Sequence, residues 1–285
     1  MSFANPIVDA GLTGLTELYR SRAITPLEAT EAYLARIERL NPQLGAYVTV
    51  DAAGARAAAE ASAARWAAGS PLSPLDGAPV AVKANIAVAG LPWHAGIAAY
   101  RDRLAPEDAA VVGNLKAAGA VILGILNMHE AALGATTDNA AFGRCHNPHR
   151  HGFTAGGSSG GSGAAVAAGL CAAALGTDTM GSVRIPSGYC GVYAHKPTQG
   201  LIDTDQVVAL SWTLDHVGVH ARSIEDCAAL LDQASGGLSG DMGNEAFVAA
   251  PRSALGQAPL AVLDFAGQVE VELAVQAAFD ATMAR

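Results

Sequence analysis

Apolar positions along this chain fall into two rhythms, a helical spacing in some stretches and short unbroken runs in others, with glycine or proline between them. Thr25-Pro26-Leu27-Glu28 has the form of a capping box with proline at the first helical position. Leu27, Thr30, Leu34 and Ile37 follow at helical spacing, and Asn41-Pro42 predicts the stop. An alanine-rich helix is expected over 52–68, ended by Gly69. Turn-rich residues 70–77 lead to a short buried strand, 78–82, which delivers Lys83 at its end. Pro106-Glu107-Asp108 starts another helix, Gly119 terminates it, and 121–126 follows as a buried strand. Such helix–glycine–strand units build wound α/β sheets.

Residues 127–161 read as one long polar loop, a candidate pocket wall. A helix over 162–168 and a strand over 172–175 come next, and Ser223 with Asp226 caps a helix running to about 234. A glycine-rich connection, 235–258, then precedes a strand at 260–265 and a helix at 271–283.

Composition narrows the class. Of 285 residues 51% are hydrophobic and only 15% charged, enough for a large core and too apolar for disorder. A formal charge of −9 provides no basic footprint for nucleic acid or an anionic membrane. The N-terminus lacks a basic region followed by a long apolar run, and no apolar stretch has the length of a membrane span. The expectation is a cytoplasmic globular protein. Cys145, Cys171, Cys190 and Cys227 show no paired spacing and are expected as free thiols.

Two glycine-lined serine turns carry the chemistry. The first is Ala155-Gly156-Gly157-Ser158-Ser159-Gly160-Gly161-Ser162-Gly163; the second runs from Gly176 through Asp178, Thr179, Met180, Gly181 and Ser182 to Pro186. A serine hydroxyl needs a base to become a nucleophile, and lysine serves when burial keeps it neutral. An isolated lysine is ordinarily a surface ion-pair partner. Lys83, however, ends an apolar strand and has the uncharged neighbours Val82, Ala84 and Asn85. Glycines let successive N–H groups turn inward as oxyanion donors. Together these features point to acyl transfer.

Other readings fit less well. Residues 156–160 satisfy GxSxG, but an α/β-hydrolase elbow needs a strand directly before it, where 143–154 is polar and contains proline. The same loop lacks the GK[ST] ending of a phosphate loop. Cys145, His146, His149 and His151 match no standard zinc spacing, and His129-Glu130 lacks the second histidine of HExxH. Asp215-His216 suggests a serine triad only superficially and reads as a connection near the pocket.

With these motifs the chain resembles the amidase signature family of Ser–Ser–Lys amide hydrolases, most densely from Gly77 to Gly200, including Cys190-Gly191-Val192 and His195-Lys196-Pro197-Thr198. The resemblance implies an α/β fold, a mixed, mostly wound β-sheet flanked by helices. It implies one domain over 1–285, with an N-terminal helical segment (1–70), a catalytic core (about 71–235) and a C-terminal βα unit (259–285). It implies Ser182 as nucleophile, Ser158, after a cis peptide bond, as bridging serine, and Lys83 as general base. Backbone N–H groups of Thr179, Met180, Gly181 and Ser182 are implied as the oxyanion hole, and Asp178, Arg184 and Ser159 as loop support. No metal or cofactor is implied.

Departures from the family pattern shape further expectations. Ala84 stands where aspartate is common, which either eases deprotonation of Lys83 or loosens its orientation. Met180 replaces a common glycine, and Trp93-His94 replaces small hydroxylated residues, narrowing the entrance. Met128, Trp93, His94, Met180 and Tyr189 suggest an apolar pocket for an aryl or aliphatic amide. The family's domain runs well beyond residue 285, so the chain is expected to lack its C-terminal part. The expected partners are a small-molecule amide and either a second copy or a second chain completing the fold. Within the family, the alternative is the glutamine-hydrolysing subunit of a tRNA-dependent amidotransferase, which the acidic chain and Ala84 do not favour. A non-catalytic truncated paralogue is the alternative of another class.

Overall fold

The Thr25 capping box forms as the sequence predicts. Its side chain accepts from the Glu28 N–H at 3.2 Å, and the Glu28 carboxylate accepts from the Thr25 N–H at 2.7 Å. The helix does not stop at Asn41-Pro42, however, but continues to Leu44 and ends at Gly45, whose φ of 62° is left-handed. One proline near a helix end forfeits a single N–H bond. Here the Asn41 side chain holds the last turn by accepting from Tyr47 N–H at 2.7 Å and donating to Tyr47 O at 3.1 Å.

The computed structural model describes residues 3–237 and 270–284. The chain divides into two compact units, Met1–Val248 and Ala249–Arg285. In the first unit the helices are α1 (Pro6–Asp9), α2 (Gly11–Arg20), α3 (Pro26–Leu44), α4 (Ala52–Ala67), α5 (Ala110–Ala117), α6 (Gly160–Ala167), α7 (Arg184–Cys190) and α8 (Ile224–Ala234). Its longer strands are β1 (Tyr47–Val50), β2 (Pro79–Lys83) and β3 (Val121–Leu126). Short ribbons β4 (Asp138–Asn139), β5 (Gly143–Arg144), β6 (His146–Asn147) and β7 (Arg150–Thr154) follow, then β8 (Ala173–Asp178), β9 (Tyr193–His195) and β10 (His216–Ala221). The described part of the second unit contains α9 (Leu273–Met283). The strand expected at 260–265 lies outside the described residues.

Among the described residues six strands form one mixed sheet in the order β1-β3-β2-β8-β10-β9. β2 runs parallel to both β3 and β8, while β10 is antiparallel to β8 and to β9, and β1 is antiparallel to β3. From β2 the chain goes first to β3 on one side and later to β8 on the other. Ligands in α/β sheets bind outside the carboxyl ends of strands where the order reverses in this way. Both β2 and β8 are buried along their whole length, so they hold their C-terminal residues rigidly.

Three further expectations are corrected. The helix expected from Pro106 begins only at Ala110, because residues before it are pinned elsewhere: Ala109 N–H donates to Ala87 O, and Asp108 accepts from Ala89 N–H at 2.8 Å. The 127–161 segment is not one loop, since β4 pairs with β5 and β6 with β7. The strand expected at 172–175 extends to Asp178, because β10 pairs with it through Asp178.

α6 is built wholly of Gly, Ala, Ser and Val, and every residue of it is buried. A Cβ on Gly161 would lie 2.3 Å from Asn127 O and 2.7 Å from Ala46 O. Gly161→Ala is therefore expected to destabilise the fold by about 1–3 kcal/mol, read as a lower urea midpoint.

Candidate active site

Lys83 closes β2 and is fully buried. Its Nζ lies 2.7 Å from Ser158 Oγ, 2.8 Å from Thr177 Oγ1 and 3.5 Å from Thr177 O. Burial pushes the Lys83 amine down from 10.5 to about 7, while the carboxylates of Asp178 and Asp215 pull the other way. An amine that is neutral near pH 7 and touches a hydroxyl can take that hydroxyl's proton.

Ser158 and Ser159 are fully buried in the turn that opens α6, and the Gly157–Ser158 peptide is cis. Ser158 O accepts from His129 N–H at 3.0 Å. Ser159 fixes two segments of the site at once. Its Oγ donates to Thr177 O at 3.1 Å and accepts from Thr177 N–H at 3.3 Å, and its N–H donates to Ser182 O at 3.2 Å. That last bond brings the Ser182 turn against the Ser158–Ser159 turn. Among the described residues no hydrogen bond closes the step from Ser158 Oγ to Ser182 Oγ. Catalytic contacts in unliganded sites are often open in this way. Ser182 is half-buried, whereas Ser158 and Lys83 lie fully inside. Ser182 is therefore the one of the three that reaches solvent.

Asp178 organises the second turn. Its carboxylate accepts from Gly181 N–H at 2.8 Å and Val183 N–H at 3.1 Å, and Arg184 forks onto it at 3.0 and 2.9 Å. Burial pushes this carboxyl up, but the Arg184 guanidinium and the two backbone N–H groups outweigh it and hold it at about 2. Thr179 Oγ1 donates to Asp215 Oδ1 at 2.5 Å, and Asp215 also accepts from Leu210 and Ser211 N–H. Asp215 is thus a loop organiser beside the turn. Gly181 N–H is committed to Asp178, which corrects its expected place among the oxyanion donors. The N–H groups of Thr179, Met180 and Ser182 carry no such bond among the described residues.

Asp178→Ala would leave these N–H groups and the guanidinium without their buried acceptor. It is expected to cost about 3 kcal/mol in thermal or urea unfolding at pH 7. Because its folded value lies below the ordinary 3.8, this contribution is complete above about pH 4 and is lost as pH falls through about 2.

The expected entrance residues are placed differently. Trp93 is 7% exposed, donates its ring N–H to Asn85 O at 2.9 Å, and is covered by the Arg103 guanidinium at 3.9 Å. His94 is 2% exposed, stacks on Phe142 at 3.9 Å and accepts from Gly96 N–H; burial, aided by Arg101, holds it down at about 4. Both are interior packing residues, so neither narrows an entrance. Met128 is likewise fully buried in the core. Met180 is 84% exposed and projects to solvent rather than lining a pocket, and Tyr189 is also exposed. The histidines at 146–151 are engaged separately. His146 stacks on His151 at 4.0 Å, His149 Nε2 lies 2.8 Å from Cys190 O, and Cys145 is buried. All four cysteines are buried free thiols. No described helix is long and apolar enough to cross a membrane.

Sequence reasoning missed Thr177, Asn85 and His220. Thr177 and Asn85 contact the amine or its neighbour. A lone hydroxyl inside the apolar run of β8 was the available signal for Thr177. His220 is fully buried, shares a 2.8 Å hydrogen bond with Ser187 Oγ through Nδ1, and is held at about 3 by burial and by nearby Lys83. A Cβ on Gly176 would lie 2.4 Å from its Nε2, so only glycine fits there.

Comparison with known proteins places the chain in a family. The family model described as Amidase matches residues 28–285. The chain is 49% identical over 222 residues to a glutamyl-tRNA(Gln) amidotransferase subunit of Anaeromyxobacter sp. (strain K), covering 78% of this chain and 45% of that protein. The native peptide amidase of Stenotrophomonas maltophilia superposes with a TM-score of 0.74 at 33% identity, over 90% of this chain and 52% of that one. The corresponding glutamyl-tRNA(Gln) amidotransferase subunit of Thermotoga maritima gives 0.62 at 34%, over 71% and 42%. The fold is that of the amidase signature enzymes, and the chain belongs to the amidase family. It spans about half the length of the relatives it matches.

Proposed function

We propose that this chain hydrolyses a carboxamide C–N bond through an acyl-enzyme on Ser182. The observation that carries the reading is the fully buried Lys83 amine, lowered to about 7 and 2.7 Å from Ser158 Oγ. Ser182 Oγ adds to the amide carbonyl while its proton passes to Ser158, and the proton of Ser158 passes to Lys83. The carbonyl oxygen becomes an oxyanion held by the N–H groups of Thr179, Met180 and Ser182. Lys83 then returns a proton through Ser158 to the leaving nitrogen as the C–N bond breaks. Water enters, gives its proton to the same relay, and frees the carboxylate. Asp178, Arg184 and Ser159 keep the two turns in register.

A second reading takes glutamine as the amide, within a tRNA-dependent amidotransferase. The 49% identity to a protein of that name favours it. A fluorophosphonate probe tests both readings at once. Ser182 is expected to be labelled in the folded wild type, and Ser182→Ala to remain unlabelled. Turnover of simple aryl or aliphatic amides supports the free-standing amidase, and turnover of glutamine alone supports the second reading. Folded protein that neither labels nor turns over any amide would make the chain a scaffold.

A further inference from the structure

Lys83 must exist in two states if it is a proton acceptor, and the neutral one is only half of the problem. The ammonium has three N–H bonds and is fully buried, where an unpaired N–H on a charged group is costly. Three oxygens surround Nζ: Ser158 Oγ at 2.7 Å, Thr177 Oγ1 at 2.8 Å and Thr177 O at 3.5 Å. Two of the three belong to one residue.

We propose that Thr177 is a positioning residue for the general base: its hydroxyl and carbonyl oxygens accept the two Lys83 N–H bonds that do not face Ser158, in both protonation states. With those two directions occupied, the remaining tetrahedral position of Nζ points at Ser158. It is a lone pair before proton transfer and the new N–H afterwards. Thr177 thereby aims the base and stabilises the ammonium that the relay produces. The inference rests on the amidase reading for its meaning in catalysis, but not for its geometry.

The surroundings are built to hold Thr177 in this pose. Asn85 Nδ2 donates to Thr177 Oγ1 at 3.1 Å, which occupies one lone pair and leaves the other for Lys83. The Asn85 backbone carbonyl accepts from the Trp93 ring N–H at 2.9 Å, and Asn85 Nδ2 also donates to Val208 O at 3.4 Å. Ser159 Oγ bridges the Thr177 N–H and carbonyl from the other side. The groups that act on the Lys83 charge are Asp178 at the end of β8, Asp215 before β10 and neutral His220 on β10. The carboxylates favour the ammonium, and none of the three is bonded to Nζ.

The test reads Lys83 directly and does not depend on turnover. The chain has three lysines, Lys83, Lys116 and Lys196, so 13C-labelled lysine resolves each side chain by NMR, with Lys83→Met assigning the signal. Thr177→Val keeps the β-branched shape but removes the hydroxyl acceptor. It is expected to move the Lys83 midpoint about one unit lower, because the ammonium loses a hydrogen bond. Thr177→Ser is expected to restore it. Where activity is measured, the rise of rate with pH moves to lower pH in Thr177→Val while the plateau falls, and KM stays the same. Thr177→Ala supplies the same comparison should valine disturb the strand. An unchanged Lys83 midpoint in folded Thr177→Val or Thr177→Ala overturns the inference. A shifted midpoint in the variants, together with a wild type that turns over no amide, overturns the amidase reading and leaves the positioning role standing.

Discussion

Ser182→Ala is expected to lower kcat/KM for the best amide substrate by about 10⁴-fold or more, with the melting temperature changed little. The size follows from the relay. Without Ser182 Oγ no acyl-enzyme forms, and the residual rate comes only from binding and the oxyanion donors. The stability half of the prediction follows from position. Ser182 is half-buried at the solvent side of the site, and the hydrogen bond that ties its turn to Ser159 uses its backbone oxygen, which alanine retains. Kinetics on a panel of simple amides and glutamine, alongside a thermal melt, check both halves. Equal turnover by wild type and Ser182→Ala would remove this serine from the nucleophile role.

Lys83→Met carries the second large effect, and it separates function from stability. Wild-type activity should rise as pH passes about 7, where the buried amine becomes neutral, and the variant should lose both the activity and this rise. Its stability should move the other way. In the unfolded chain the lysine protonates near 10.5, whereas in the folded protein burial delays protonation to about 7. Between those values the unfolded state binds the extra proton, so stability falls as pH drops from about 10.5 toward 7 and the full cost persists below. Methionine removes that cost while filling similar space. The variant's melting temperature should therefore exceed that of wild type at pH 7, by about 2–4 °C for each kcal/mol relieved. The difference should vanish above pH 10.5. A Lys83→Met protein that melts below wild type at pH 7 would mean that the amine is a structural donor first.

What was legible in the sequence divides along physical lines. Helix α3 announced its start because a capping box is local chemistry, readable from four residues. Its end was misjudged because the grip of Asn41 on Tyr47 is a tertiary contact. The two serine turns and Lys83 were legible because glycine-lined turns next to apolar runs have few other uses. β10 was invisible: Gly218 and the two histidines of His216–Ala221 interrupt any apolar pattern, and only pairing with β8 makes them a strand. Trp93 and His94 were assigned to an entrance because they stand where the resembled family has small hydroxylated residues. Replacement of a small residue by a large one does not reveal which way the side chain faces, and both face inward. Gly181 failed as an oxyanion donor for a similar reason, since the carboxylate that claims its N–H could be seen in the sequence but not its direction.

The pairing of β2 with β8 joins Lys83 to a strand that begins 90 positions later, at Ala173. Nothing local to either segment keeps the amine dry. In a chain still being made, with β2 formed and β8 absent, the lysine faces water, returns to its ordinary protonated state and cannot accept a proton at neutral pH. The reactive base is thus a property of the closed sheet alone. Under the proposed function, the chain carries no active base against amide bonds, its own included, until that closure.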